Sequence, residues 1–408
     1  MSNYNFISKL CCVLITCFFS LSSSARVNTG LELFLESYTH LVKGKRVGLI
    51  TNQTGVNAQL ESTIDLLHRD SRVNLVALFA PEHGVRGDVR AGVEFSGGFD
   101  AKTKLPIFSL YGGGNHKPSR GALGKVDLLI YDIQDVGSRA YTYIWHLAKC
   151  MEAAQENNKE VLVLDRPDPF GATVIDGPVL QDKFRSFIGL YPVPRVYGMT
   201  VGELAHYLNS EEKINCKLGV IPLRGYRRGM SWAHTGLPWV PTSPHIPDPN
   251  SAYAFAATGI IGETGQFNTG VGYTLPFQCV AAPWISAGVT SRKLNSLGLP
   301  GVIFRPIHYK PFYGKFKGEP INGVQLHITN PSTFRPATTE VALLCHFQRY
   351  YKEFKWNKSK YATFDKAMGN EHVRLQIQNG KSFTKICRDW ERELHVFKVK
   401  RSKYLMYK

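Results

Sequence analysis

Five short apolar runs, each ending in polar residues and separated by helical stretches, constrain this chain more than any other feature. They are RVGLIT from Arg46, VNLVALFA from Val73, LPIFSLYG from Leu105, VDLLIYDI from Val126 and VLVLDRP from Val161. Strands so continuously apolar are buried on both faces, and their alternation with helical patterns over 62–70 and 138–157 predicts an α/β fold with a parallel sheet covered on both sides. Ligands in such a sheet bind beyond the carboxyl ends of the strands. Those ends carry Asn52 and Gln53, then Glu82, His83 and Arg86, then Tyr111 and three glycines, then Asp132, Asp135 and Arg139, then Asp165 and Arg166. A single polar strand end is ordinary solvated surface, whereas five along one rim point to a site.

At 408 residues the chain exceeds the size at which one hydrophobic core stops growing, roughly 250–300 residues, so two domains are expected. Proline- and glycine-rich text over 168–194 gives way to a helix capped by Thr200 with Glu203 three residues on, which places the junction at 198/199. The first domain then covers 26–198 and a smaller α/β domain covers 199–408. Residues 1–25 read as a cleaved export signal: Lys9 precedes the apolar LCCVLITCFF, and LSSSA precedes Arg26. That run is shorter than the roughly 20 residues a membrane-spanning helix needs, so the mature chain is expected in the periplasm or outside the cell, with no stable membrane insertion.

The formal net charge of +17 favours anionic partners through its long-range field. Its cations are scattered, densest over 398–403, without a zinc-finger or RNA-binding signature, so an acidic cell-wall polymer is expected rather than nucleic acid. No GxGxxG follows the first strand and no GxxxxGK[ST] occurs, which disfavours a nucleotide cofactor; no cofactor is expected. Glu82, His83, Asp132, His245 and Asp248 lack the HExxH or HxH spacing that fixes a metal geometry, so no metal is expected either. Five cysteines follow the signal at wide spacings without CxxC, and most suit a small core residue.

The segment APEHGVRG delivers Glu82, His83 and Arg86 together where an apolar strand runs out, and a carboxylate held between glycines suits proton transfer in a cleft. With GLITNQTG, LFAPEHGVRG, DLLIYDIQDVGSRAYTYIWHL, LDRPDPFG, DGPVL, FIGLYPVPRVYGMTVGEL, WVPTSPHIP and PFQCVAAPWI in order, the chain from about Gly30 onward resembles the exo-β-N-acetylmuramidase family. That resemblance implies a Rossmann-like domain against a smaller α/β domain with a cleft between them. It also implies an exo-acting hydrolase that frees terminal N-acetylmuramic acid from peptidoglycan fragments such as MurNAc-GlcNAc and muropeptides.

By the same resemblance Glu82 is the catalytic carboxylate, and Asn52, His83, Arg86, Asp132, Arg139, Tyr143 and Asp165 match motif positions lining the cleft. Glycosidic cleavage normally uses two carboxyl groups, and Glu263, Asp132 and Asp176 are candidates for the second, with Glu263 first. The lactyl carboxylate of muramic acid suits a bidentate guanidinium, from Arg86, Arg139 or Arg166. Tyr141, Tyr143, Trp232 and Trp239 are candidates for stacking on sugar rings, although Tyr141 and Trp145, spaced i, i+4, suit core packing equally. The chain departs from the commoner family pattern at ETGQFNTGVGYT, where Val271 replaces an arginine. That departure leaves open a non-catalytic muropeptide binder of the cell envelope, and the net charge leaves open a basic scaffold for anionic polymers.

Overall fold

The computed structural model describes residues 26–89, 92–93, 95, 97–112 and 115–408. The expected export signal, and Gly113 and Gly114 of the glycine run, lie outside the described residues.

The predicted strands form one seven-stranded sheet: β1 Arg46–Thr51, β2 Asn74–Ala80, β3 Gly98–Phe99, β4 Pro106–Ser109, β5 Leu128–Asp132, β6 Glu160–Leu164 and β9 Lys217–Ile221, in spatial order β3-β4-β2-β1-β5-β6-β9. All pairings are parallel except β3 with β4. Successive side chains alternate between faces, so Ile50, Phe79, Leu129 and Tyr131 enter one apolar cluster while Val47, Leu49, Leu78 and Ile130 enter another. Helix α2, Tyr143–Glu156, and α3, Val201–Glu211, cover the first face. Residues 31–42 and α1, Thr63–Arg69, cover the second.

Local chemistry sets the helix starts. Ser62 caps α1 by accepting from the Ile64 amide, and the Thr200–Glu203 capping box opens α3. Predicted helix 138–157 begins only at Tyr143, because residues 139–142 turn around buried Arg139. Strand β9, expected to open the second domain, instead pairs with β6, so the first sheet runs across the 198/199 boundary. From β1 the chain steps outward to β2 and β4, then returns to the far side of β1 to lay down β5. This reversal leaves a crevice above β1, β2 and β5.

The second unit is a three-stranded antiparallel sheet of β10 Cys279–Ala282, β11 Val302–Tyr309 and β12 Ile321–Ile328, in order β10-β12-β11. It packs with α4, Pro249–Glu263, α5, Ala287–Asn295, and α6, Pro336–Tyr350. A ribbon of β7 Asp176–Val179 and β8 Pro194–Val196 joins the units. There Arg195 of β8 meets Glu340 of α6 at 3.4 Å with both side chains fully buried. The five cysteines after the expected signal are free, three of them buried.

The C-terminal tail returns to the first sheet. The Tyr407 hydroxyl donates to Asp165 at 2.5 Å and accepts from the Leu223 amide at 2.9 Å. Asp165 also takes bonds from Thr200 Oγ and the Gly202 amide, yet burial outweighs them and pushes its carboxyl up to about 7. A carboxyl that keeps its proton longer when folded stabilises fully below the unfolded value, about 3.9, and that contribution is lost as pH rises through about 7. Asp165→Asn is therefore expected to flatten stability against pH between those limits. Urea midpoints of wild type and variant that change in parallel from pH 4 to 8 would contradict this.

Candidate active site

The turn after β2 is built to hold Glu82 at the rim. His83, Gly84 and Gly87 all adopt positive φ, at 74°, 79° and 82°, and a left-handed histidine is uncommon outside sites where surrounding bonds hold it. Here the bonds are visible: the His83 Nδ1–H donates to the Val89 carbonyl at 3.1 Å and the Val89 amide to the His83 carbonyl at 3.2 Å. Because Nδ1 carries the proton, the neutral ring has its lone pair on Nε2. Glu82 is half-buried, and its Oε1 accepts the Gly92 amide at 2.9 Å.

Across the rim, Asn52 follows β1 and Tyr143 opens α2. Asn52 Oδ1 accepts from the Thr54 amide and hydroxyl at 2.9 and 2.6 Å, which fixes the side chain and turns its Nδ2 toward the Tyr143 hydroxyl. The Tyr143 hydroxyl lies beside Asn52 and donates to the Thr242 carbonyl at 2.6 Å. Burial first, with the Glu82 charge a smaller cause, holds the Tyr143 phenol well above its ordinary value, so it stays a neutral donor. Tyr141 donates to Thr242 Oγ at 2.8 Å, and Gln53 Nε2 reaches the Pro241 and Thr242 carbonyls at 2.9 and 3.1 Å. The 239–248 loop is thus tied down onto the first domain.

That loop brings His245 toward His83. Burial, then the neighbouring His83, lowers the His245 pKa, and its Nε2 meets the Tyr313 hydroxyl of the β11–β12 connection at 3.0 Å. A carboxyl, an amide, two imidazoles and buried phenols from both sides of the 198/199 boundary therefore lie near one another beyond the strand ends. This set can donate a proton and bind hydroxyl and amide groups. Among the described residues no three His, Cys, Asp or Glu side chains are grouped to hold a metal ion.

Several residues expected in the cleft are committed elsewhere. Arg86 grips Asp100 through Nε and Nη2 at 2.9 and 3.0 Å and also meets Asp65 at 3.0 Å, so its fork holds the loop after β2. Arg166 and Asp132 pair at 2.6 and 2.9 Å beneath the strand ends, where Asp132 also accepts from Thr63. Arg139 is fully buried against four backbone carbonyls. Asp165 is the tail anchor described above. Each of these side chains is therefore satisfied within the protein: Arg166 and Asp132 by one another, Arg86 by Asp100 and Asp65, Arg139 by carbonyls and Asp165 by the tail.

The candidates for a second carboxyl fare no better. Glu263 is exposed at the far end of α4, on the order of 20 Å along the axis from the end that follows the cleft loop. Asp176 is buried against the Thr338 amide and hydroxyl, both at 2.9 Å. Trp232 and Trp239 pack edge to face on each other at 4.9 Å, and Trp239 Nε1 bonds the Ile246 carbonyl, so they brace the loop. Trp145 is core, its indole N–H on the Arg139 carbonyl. Sequence reasoning missed Thr242 and Tyr313: the first acts through its carbonyl and through a hydroxyl that no local pattern marks, and nothing in KPFYGKF marks a cleft residue.

Comparison with known proteins agrees with this architecture. Residues 47–250 match the N-terminal domain of exo-beta-N-acetylmuramidase NamZ, and residues 253–407 match its C-terminal domain. The peptidoglycan beta-N-acetylmuramidase NamZ of Bacillus subtilis is 43% identical over 383 residues, covering 94% of this chain and 92% of that protein. Two crystal structures of DUF1343 family proteins from Bacteroides fragilis superpose with TM-scores of 0.89 and 0.74, at 43% and 30% identity. Each alignment covers 94% of this chain and 99% of the other. With both domain profiles matched in order and near-complete alignment to a muramidase, the chain belongs to the NamZ exo-β-N-acetylmuramidase family.

Proposed function

We propose that this protein is an exported exo-acting glycoside hydrolase that releases terminal N-acetylmuramic acid from peptidoglycan fragments, with Glu82 as general acid/base. The observation that carries the assignment of Glu82 is its place: the half-buried carboxyl at the end of β2 neighbours Tyr143, which itself adjoins Asn52, while the next residue, His83, neighbours His245. Glu82 protonates the departing glycosidic oxygen, and the water that then bonds to the anomeric carbon gives a proton back to the Glu82 carboxylate, which restores the acid. Asn52 Nδ2 and the cleft imidazoles supply hydrogen bonds to the sugar's hydroxyl and acetamido groups. Export rests on the signal-like residues 1–25, and among the described residues no helix is long and apolar enough to cross a membrane.

One feature favours a second reading, a binder without turnover. The departing loop around Val271 adjoins the Tyr313 turn, through the Phe312 amide on the Gly272 carbonyl. That loop is nonetheless well built, since Asn268 Nδ2 holds the Val271 and Lys315 carbonyls at 3.0 and 2.9 Å. The deciding experiment incubates purified protein with MurNAc-GlcNAc and with an aryl muramide. Free N-acetylmuramic acid is the expected product, whereas tight calorimetric binding without hydrolysis would assign the protein to the second reading.

A further inference from the structure

In the second unit, α5, the last turns of α6 and the 380–383 turn enclose a groove whose cations have no counter-ions. This hollow of about 530 Å³ has Lys293, Leu297, His346, Arg349, Tyr350 and Lys381 among its walls, and none of the described residues lining it is Asp or Glu. Among the described residues, no carboxylate lies within ion-pair distance of Lys293, Arg349 or Lys381. Elsewhere the protein neutralises such a cluster: where Lys117 and Lys149 line a hollow together, Glu152 takes both, at 2.8 and 3.0 Å.

The cations are held close together. Lys293 Nζ stands 4.1 Å from the Tyr350 ring centre and the Arg349 guanidinium 5.5 Å from it, so the two charges lie within about 10 Å of one another, a Debye length at 0.1 M salt. Burial first, and then Lys293, pushes His346 down to about 4, so the imidazole in the wall is neutral, and its Nε2 has no partner among the described residues. An anion relieves repulsion between like charges at this spacing, and no lining residue supplies one. The walls are also partly apolar, with Leu297 and Tyr350 left 40% and 48% exposed. A partner that fits carries several anionic groups along a partly apolar chain. Uncut peptidoglycan has that chemistry, because its lactyl and peptide carboxylates alternate with sugar rings and methyl groups.

We propose that this groove is a second binding site, which docks the protein on the carboxylates of uncut peptidoglycan and shares no residue with the candidate active site. The choice of polymer rests on the muramidase reading. An enzyme that cuts only chain ends finds few of them in an insoluble polymer, and a second contact raises the local concentration of ends around it.

The test measures cosedimentation of the full chain with purified peptidoglycan sacculi on ice, beside kcat/KM on soluble MurNAc-GlcNAc. Lys293→Ala/Arg349→Ala/Lys381→Ala is expected to weaken retention by about tenfold at low salt and to leave soluble turnover unchanged. Lys43→Ala/Lys125→Ala/Lys398→Ala removes the same charge from exposed positions outside the groove and should change retention by less than about twofold. Sacculi with amidated carboxyl groups should bind wild type as weakly as untreated sacculi bind the groove variant. Undiminished retention of the groove variant, or an equal loss in both triple variants, would overturn the docking site, as would a wild type that prefers anionic phospholipid vesicles to sacculi. Cosedimentation needs no turnover, so failure of the muramidase reading shows separately, as wild type that leaves the soluble disaccharide uncut, and retention still decides the groove.

Discussion

Glu82→Gln is expected to lower turnover of MurNAc-GlcNAc by about 10²–10⁴-fold while leaving the fold and substrate affinity nearly unchanged. Glutamine is isosteric, and its amide oxygen can still accept the Gly92 N–H that now meets Oε1. The change therefore removes a transferable proton without opening a cavity. Because Glu82 is half-buried and its neighbours are fixed by their own bonds, the loss should appear in kcat rather than KM. An aryl muramide with a good leaving group needs less protonation and should be less affected. A variant that turns over the disaccharide at the wild-type rate would remove Glu82 from the mechanism.

The largest stability effect is expected at Arg139. Its Nη1 donates to the Pro178 and Val193 carbonyls, both at 2.8 Å, and its Nη2 to the Ala367 and Met368 carbonyls at 3.2 and 2.6 Å. These acceptors lie on or beside the connecting ribbon and at the end of the 361–368 helix, so one guanidinium ties together segments more than 200 residues apart. Burial depresses its pKa to about 9, which still leaves it charged at neutral pH. Packing is equally tight around it, since a Cβ on Gly369, at φ +90°, would stand 2.5 Å from Nη2. Arg139→Ala leaves buried carbonyls unpaired and should cost about 3–5 kcal/mol. Urea unfolding would measure that loss, and the remaining folded protein should hydrolyse substrate with an unchanged KM. A raised KM at wild-type stability would instead return Arg139 to the substrate.

The comparison of Arg139 with Asn52 shows what was legible from residues alone. Apolar strands, the Ser62 and Thr200 caps and the polar strand ends were all readable, because periodicity and local hydrogen bonding act over a few residues. Which polar strand ends face a ligand was not readable, because that depends on partners far off in the chain. Arg86 closes on Asp100 and Asp65, and Arg166 on Asp132, and no spacing rule announces such pairs. Asn52 and Glu82 are held instead by backbone amides close by in the chain, those of Thr54 and Gly92. Glu263 lies apart from the cleft loop for a geometric reason: a 15-residue helix carries its last residue away from whatever its first residue touches. Thr242 contributes a carbonyl, which every residue possesses, and a hydroxyl whose partner Tyr141 lies 101 residues away, and Tyr313 enters from a turn whose docking side only the assembled chain defines.

The Tyr407–Asp165 bond also has a bearing on how the protein matures. The first sheet supplies most of the rim, yet one of its buried carboxyls and the Leu223 amide find their partner in a segment synthesised last. An emerging N-terminal half can collapse early but stays short of its final bonds until Tyr407 has been made, so the first sheet is expected to gain its full stability only then. Completion of the sheet's bonds thereby waits on Tyr407, and a bulky fusion placed after Lys408 would be felt at Asp165.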